Sequence, residues 1–311
     1  MTAPTSADVR TALGRLAGPA PHLRWRLARA GEPLGDHELS CGALAADPDA
    51  LATAVAASAA GRGSDDPQVL ASLWWQAYAY RVAGTALACW LLTGCAPRSG
   101  AEHTAVGIAR SRPSSVVYRA VEAPPADLPG AGSRPGAVDP GARGVRTSSP
   151  EPRPPAGGSH GPAVTDGDAG LDALVEGLFP AHLDRVAASL RARHALGRSL
   201  VWGNVAAAVA SAAGAVRVAA GPGWRARLDT FLAAAPHDLA RFGRWTPPPD
   251  ASDASDASGA AGADRSGTCV PTTDPTYRRT TCCLWWKTSA SSGALCADCS
   301  LTRPPIETSP S

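Results

Sequence analysis

The chain has 311 residues, 44% of them hydrophobic, enough to bury one large core or two small ones. A formal net charge of +2 removes the electrostatic case for nucleic-acid binding. Met1 to Asp8 carry neither a basic n-region nor an apolar h-region, and the longest strongly apolar run, Val82 to Leu92, is too short to cross a bilayer. The sequence thus predicts a cytoplasmic protein with no signal peptide and no transmembrane segment, in a compartment where clustered thiols favour metal over disulfide.

In chain order, His22-Leu23-Arg24-Trp25-Arg26-Leu27 alternates at period two and predicts a strand. A long helix follows over Val69 to Leu92. Asp66 suits its N-cap, Pro67 its first turn and Gly94 a left-handed stop. Its apolar residues lie on nearly every face, which predicts burial on most sides. Thr104–Ala109 and Ser114–Tyr118 read as two short strands, a small antiparallel element beside the helices. Residues 123–168 hold ten prolines and nine glycines, which marks a linker without a packed core.

Helices are predicted again over Leu171 to Phe179, from Pro180 to His194, over Val201 to Ala220 and over Trp224 to Ala235. Short connections imply antiparallel packing. Residues 246–267, with Pro247-Pro248-Pro249 and an Ala-Ser-Asp repeat, form a second linker. The predicted fold class is α+β and predominantly helical. Its expected parts are an N-terminal part at 8–122, linkers at 123–168 and 246–267, a helical part of the same domain at 169–245, and a C-terminal four-cysteine segment at 268–302.

That last segment holds half of the eight cysteines. Cys282-Cys283 is followed, after twelve residues, by Cys296-Ala297-Asp298-Cys299. Structural zinc sites draw on two separated pairs, each two to four residues apart, and a vicinal pair fits one small tetrahedron poorly. A binuclear iron–sulfur centre offers two ligand positions on each iron and tolerates this spacing better. A zinc knuckle and a disulfide pair remain alternatives. Cys41, Cys89 and Cys95 are isolated and read as small buried hydrophobes, and Cys269 as a spare thiol.

The array resembles the C-terminal signature of the ferric-siderophore reductase family of the FhuF type: Cys-Cys, about ten residues, then Cys-x2-Cys around a [2Fe–2S] cluster. Tyr277-Arg278-Arg279 before the pair and Leu284-Trp285-Trp286 after it agree with the family's flanks. The longer gap falls in Thr288-Ser289-Ala290-Ser291-Ser292-Gly293, where extra length costs little closure entropy. Ser72-Leu73-Trp74-Trp75-Gln76-Ala77-Tyr78-Ala79-Tyr80-Arg81 is similar to the family's Tyr-x-x-Arg helix, and Arg198-Ser199-Leu200-Val201-Trp202-Gly203-Asn204 to its Leu-x-Trp-Gly-Asn turn. Both segments are also shared with siderophore synthetases.

The resemblance implies a one-electron ferric-siderophore reductase whose [2Fe–2S] cluster is held by Cys282, Cys283, Cys296 and Cys299, with no catalytic side chain beyond the cluster. Implied partners are a ferric siderophore, an electron donor (a flavin- or NAD(P)H-dependent reductase or a ferredoxin) and a transient contact with a siderophore importer. Arg81, Trp202 and Asn204 are candidate substrate contacts, because an anionic chelate calls for a partly desolvated cation. Beside this stand an internal salt bridge for Arg81, an N-cap role for Asn204 at a helix starting at Val205, and core packing for the aromatics. Arg278, Arg279 and Lys287 read either as cations that raise the cluster potential or as solvated charges. Two other functions stay open: a zinc-stabilised siderophore carrier without redox chemistry, and a siderophore-assembly enzyme.

Overall fold

A computed structural model describes residues 6–59, 62–119, 166–221, 223–245, 277–288, 291, 295, 299 and 300. The two linkers therefore fall almost wholly outside the described residues; only the last three positions of the first belong to a helix, which starts at Asp166.

Nine α-helices and six strands are formed by the described residues. Helix α1 (Ser6–Gly14), strands β1 (Trp25–Ala28) and β2 (Glu38–Ser40), and helices α2 (Cys41–Ala46) and α3 (Pro48–Ala57) lead to α4 (Pro67–Ala79). Asp66 caps α4, its carboxylate accepting from the N–H groups of Gln68 at 2.8 Å and Val69 at 3.4 Å. A π-turn (Tyr80–Gly84) carries α4 into α5 (Thr85–Thr93), which ends at Gly94 with φ 71°. The capping residues read from the sequence thus bound one continuous helical rod.

Strands β3 (Thr104–Ala109) and β4 (Arg112–Arg119) form a hairpin whose turn residues, Arg110 and Ser111, both have positive φ. The expected antiparallel element is part of a larger, mixed sheet of order β1-β4-β3-β2. β1 pairs with β4 in parallel, Trp25 opposite Val116. Period-two alternation fixes which side of a strand is buried, and leaves the direction of a partner some 90 positions away undetermined.

Helix α6 (Asp166–Leu178) continues through a second π-turn (Phe179–Leu183) into α7 (Asp184–Arg193). Pro180 was expected to open a new helix. It sits instead inside the π-turn, where the interrupted hydrogen-bond ladder accommodates a residue without an N–H. Helix α8 (Arg198–Val216) is the central element, packed on α4 and α5 and buried on almost all sides. By length and composition it could cross a membrane, yet 83% of its apolar window lies inside the fold. Helix α9 (Trp224–Ala234) and a 3₁₀ segment (Pro236–Phe242) close the helical layer. Strand β5 (Gly243–Trp245) then pairs antiparallel with β6 (Tyr277–Arg279).

One buried polar network joins these layers. The imidazole of His182, in the second π-turn, is fully buried. Its Nδ1 lies 2.5 Å from the Ser99 carbonyl, which can only accept, so Nδ1 carries the proton. Nε2 is then the acceptor for the Tyr78 hydroxyl at 2.5 Å. Burial pushes this imidazole down to about 4, against an ordinary 6.5. Between those values the unfolded chain binds a proton that the folded chain does not, so stability falls as pH drops through the window. We expect roughly 3 kcal/mol of stability to be lost through His182 between pH 7 and pH 4. Urea midpoints at the two pH values check this. His182→Gln should be less stable at pH 7 and show a distinctly smaller loss on acidification. An equal loss in both proteins would assign the acid sensitivity elsewhere.

Candidate functional site

The C-terminal cysteine segment lies against α4 and α8, and residues that alternate along β6 set its docking. Tyr277 and Arg279 are buried and Arg278 between them is exposed. Tyr277 packs on Ala207 and Ala210 of α8. Arg279, 4% exposed, donates from Nη1 to Asn204 Oδ1 at 3.0 Å. The Asn204 amide donates in turn to the carbonyl and the hydroxyl oxygen of Ser72 on α4, at 3.2 and 3.3 Å. The Ser72 hydroxyl donates to the Cys283 carbonyl at 3.0 Å. A continuous buried relay thus runs from Arg279 through α8 and α4 to one of the predicted ligand residues.

Gly203 explains how the segment comes so close. A Cβ at this position would stand 2.0 Å from Thr281 Oγ1 and 2.9 Å from Thr281 Cβ, so only glycine admits the chain beside Cys282. Gly243 plays the same part in the ribbon, where a Cβ would overlap the Tyr277 ring. Gly203 and Asn204 are therefore the seat of the cysteine segment. Asn204 does not cap a helix: α8 begins six residues earlier, with Gly197 at its N-cap, and Asn204 points inward from its second turn. Trp202 is also interior, 5% exposed, its indole stacked on His237 at 3.7 Å and close to Phe179.

Cys283 is 2% exposed and packs with Val69, Leu73 and Trp285. Leu284 takes a left-handed conformation, φ 67°, which aims its N–H at Cys282 Sγ, 3.3 Å away. An N–H donor at a cysteine sulfur favours the thiolate and is the kind of contact that supports a sulfur-ligated metal. Cys282 is half-buried and Cys299 buried; Cys296 lies outside the described residues, as does Cys269. Among the described residues no three metal-ligating side chains converge. Cysteine thiols with a backbone N–H turned onto one sulfur are the donor types that an iron–sulfur group takes, but the described residues do not gather three of them into one site. Cys41 and Cys89 differ in kind. Burial pushes their thiols up to about 11 and about 12, so they stay protonated packing groups.

Arg81 lies apart from this assembly. It is nine residues beyond Ser72 on the same rod, about 13 Å along the axis and half a turn round. Its guanidinium lies over the Tyr80 ring and donates to the His22 carbonyl. The structure therefore brings Asn204, Cys283 and Trp202 to one end of the α4–α8 pair and places Arg81 at the other. By sequence Arg279 reads only as a cation beside the cysteines, and Ser72 and Gly203 only as members of family-like segments; none of the three reads as a member of this relay. The one local signal was an isolated glycine inside an apolar helix, which often marks close backbone approach.

The helices that seat the segment are also those matched by comparison with known proteins. A family model described as a ferric iron reductase, FhuF-like transporter, matches residues 72–239, more than half of the chain. The chain belongs to this FhuF-like ferric iron reductase family. No curated protein gives a significant match. The FhuF-like match starts at Ser72, includes Trp202, Gly203 and Asn204, and ends before the cysteines. The cysteine segment joins the family portion through contacts made by matched residues, Ser72 and Asn204 above all.

Proposed function

We propose that the protein reduces Fe(III) bound in a ferric siderophore to Fe(II), using a [2Fe–2S] cluster held by Cys282, Cys283, Cys296 and Cys299, and thereby releases iron inside the cell. The observation that carries this is the seating of the cysteine pair on the FhuF-like helices, with Ser72 fixing the Cys283 backbone and Leu284 donating to Cys282. Bound there, the cluster would supply a one-electron carrier. The protein's own residues do the rest. Val69, Leu73 and Trp285 exclude water from Cys283. Arg279 sets a buried positive charge three residues before Cys282, which favours the more negative, reduced form.

One electron from an external donor, a flavin- or NAD(P)H-dependent reductase or a ferredoxin, converts one Fe(III) to Fe(II). Siderophore donors are hard oxygen groups, matched to the ferric ion. The softer, less charged Fe(II) is held more weakly and leaves. Asn204 serves this reading as a support of the cysteine segment, while Trp202 packs on His237 and Phe179. Arg81 remains a proposed contact for an anionic chelate, tested separately by Arg81→Ala.

The protein purified without oxygen should be coloured, bleach on one-electron reduction, and give an EPR signal when reduced. On addition of a ferric siderophore it should reoxidise as an Fe(II) chelator develops its colour. A colourless protein holding one zinc per chain would replace this reading with the non-redox carrier.

A further inference from the structure

The ribbon of β5 and β6 has an inner and an outer face. Tyr277 and Arg279 turn inward onto α8, and Arg278 turns outward. The register sets Arg244 of β5 directly opposite Arg278, and both are exposed. Side chains opposed in this way stand on one face with Cβ atoms about 5 Å apart, and like charges there are destabilising. Among the described residues no carboxylate pairs with either of them. Arg241, at the end of the 3₁₀ segment, adds a third exposed cation beside them: its carbonyl accepts from Thr280 Oγ1, and its charge is partly offset by Asp238 at 3.6 Å. The ribbon runs straight into the cysteine pair, since Arg278 is four residues from Cys282.

We infer that the outer face of this ribbon is the docking surface for an acidic one-electron carrier protein. The inference rests on the reductase reading above and names the kind of donor that reading requires. Two opposed guanidiniums on an open strand gain little from a small anion, because exposed charges are screened over about 8 Å at physiological salt. An acidic protein face presents several carboxylates together and removes water as it docks, and so offsets an opposed arginine pair better than a small anion does. One electron leaves the carrier, which is oxidised, and enters the protein at the cysteine-bearing end.

The test measures binding first and electron transfer second. An acidic [2Fe–2S] ferredoxin serves as probe, titrated by calorimetry into the wild type and into the Arg244→Glu/Arg278→Glu variant at low salt. We expect the double variant to bind at least about tenfold more weakly, and the difference to close at high salt. Stopped-flow reduction by the same ferredoxin should slow in parallel, while reduction by photoreduced riboflavin, a small donor without a protein face, stays unchanged. The Arg244→Lys/Arg278→Lys variant should keep wild-type binding. Unchanged ferredoxin binding in the double glutamate variant would overturn the inference. So would the opposite split, in which ferredoxin acts normally and Fe(II) release from an anionic chelate falls, since the face would then take the substrate. If the ferredoxin binds as expected but no redox change follows in the wild type, the docking face stands and the reductase reading fails.

Discussion

Cys283→Ser should purify with almost no iron and no acid-labile sulfide, while Cys89→Ser should match the wild type in both. Serine keeps the size of cysteine but offers a hard hydroxyl in place of a soft thiolate, and iron–sulfur clusters are held by thiolates. The packing around Cys283 would keep a ligand sulfur from water. Its side chain is 2% exposed among Val69, Leu73 and Trp285, and its backbone is tied to α4 by Ser72. Cys89 is as well buried, inside α5, but its thiol is pushed up to about 12, so it has no thiolate to offer. Total iron and labile sulfide per chain, with the visible and reduced EPR spectra, read the result directly. Full cluster content in Cys283→Ser would end the ligand assignment. Loss in both variants would point to a general folding defect, which the thermal transition would reveal.

Local rules made the rod from α4 to α5 legible. Asp66, Pro67 and Gly94 each bear the role their chemistry suggests, because capping is decided within a few residues. The hairpin of β3 and β4 was readable for the same reason. Contacts across long separations were not. The parallel partner of β1 lies across the sheet, and α2 and α3 are short, alanine-rich helices with little periodic signal. The sharpest case is Asn204. Within its own segment it looks like a cap or a surface ligand; only Arg279, 75 positions later, and Ser72, 132 positions earlier, make it an interior hub. Likewise Arg278 and Arg279 are indistinguishable as neighbours in sequence. The pleat of β6 sends one into solvent and the other into the relay.

Asn204→Leu should lower the stability of the docked C-terminal segment by roughly 3 kcal/mol. The side chain is replaced by one of similar volume, so the loss comes from polar partners and not from a cavity. Hydrogen bonds to charged groups contribute about 1.5–3 kcal/mol, and a buried charge deprived of an acceptor costs more than the bond itself. Arg279 would lose its Asn204 acceptor while 4% exposed, and Ser72 would lose its amide donor. The α4–α8 contact itself is apolar over most of its length and should survive. Two measurements separate local from global effects. Hydrogen exchange should accelerate over 277–288 with little change in α5, and the urea midpoint should fall by less than the local loss implies. A double-mutant cycle with Arg279→Met then decides whether the relay is the cause. If it is, removing Asn204 should be far less harmful once the buried charge is gone, leaving a coupling of at least about 1 kcal/mol. Strictly additive losses would mean that Asn204 and Arg279 stabilise the fold independently, and that the cysteine segment is seated by Gly203 and Tyr277 packing alone.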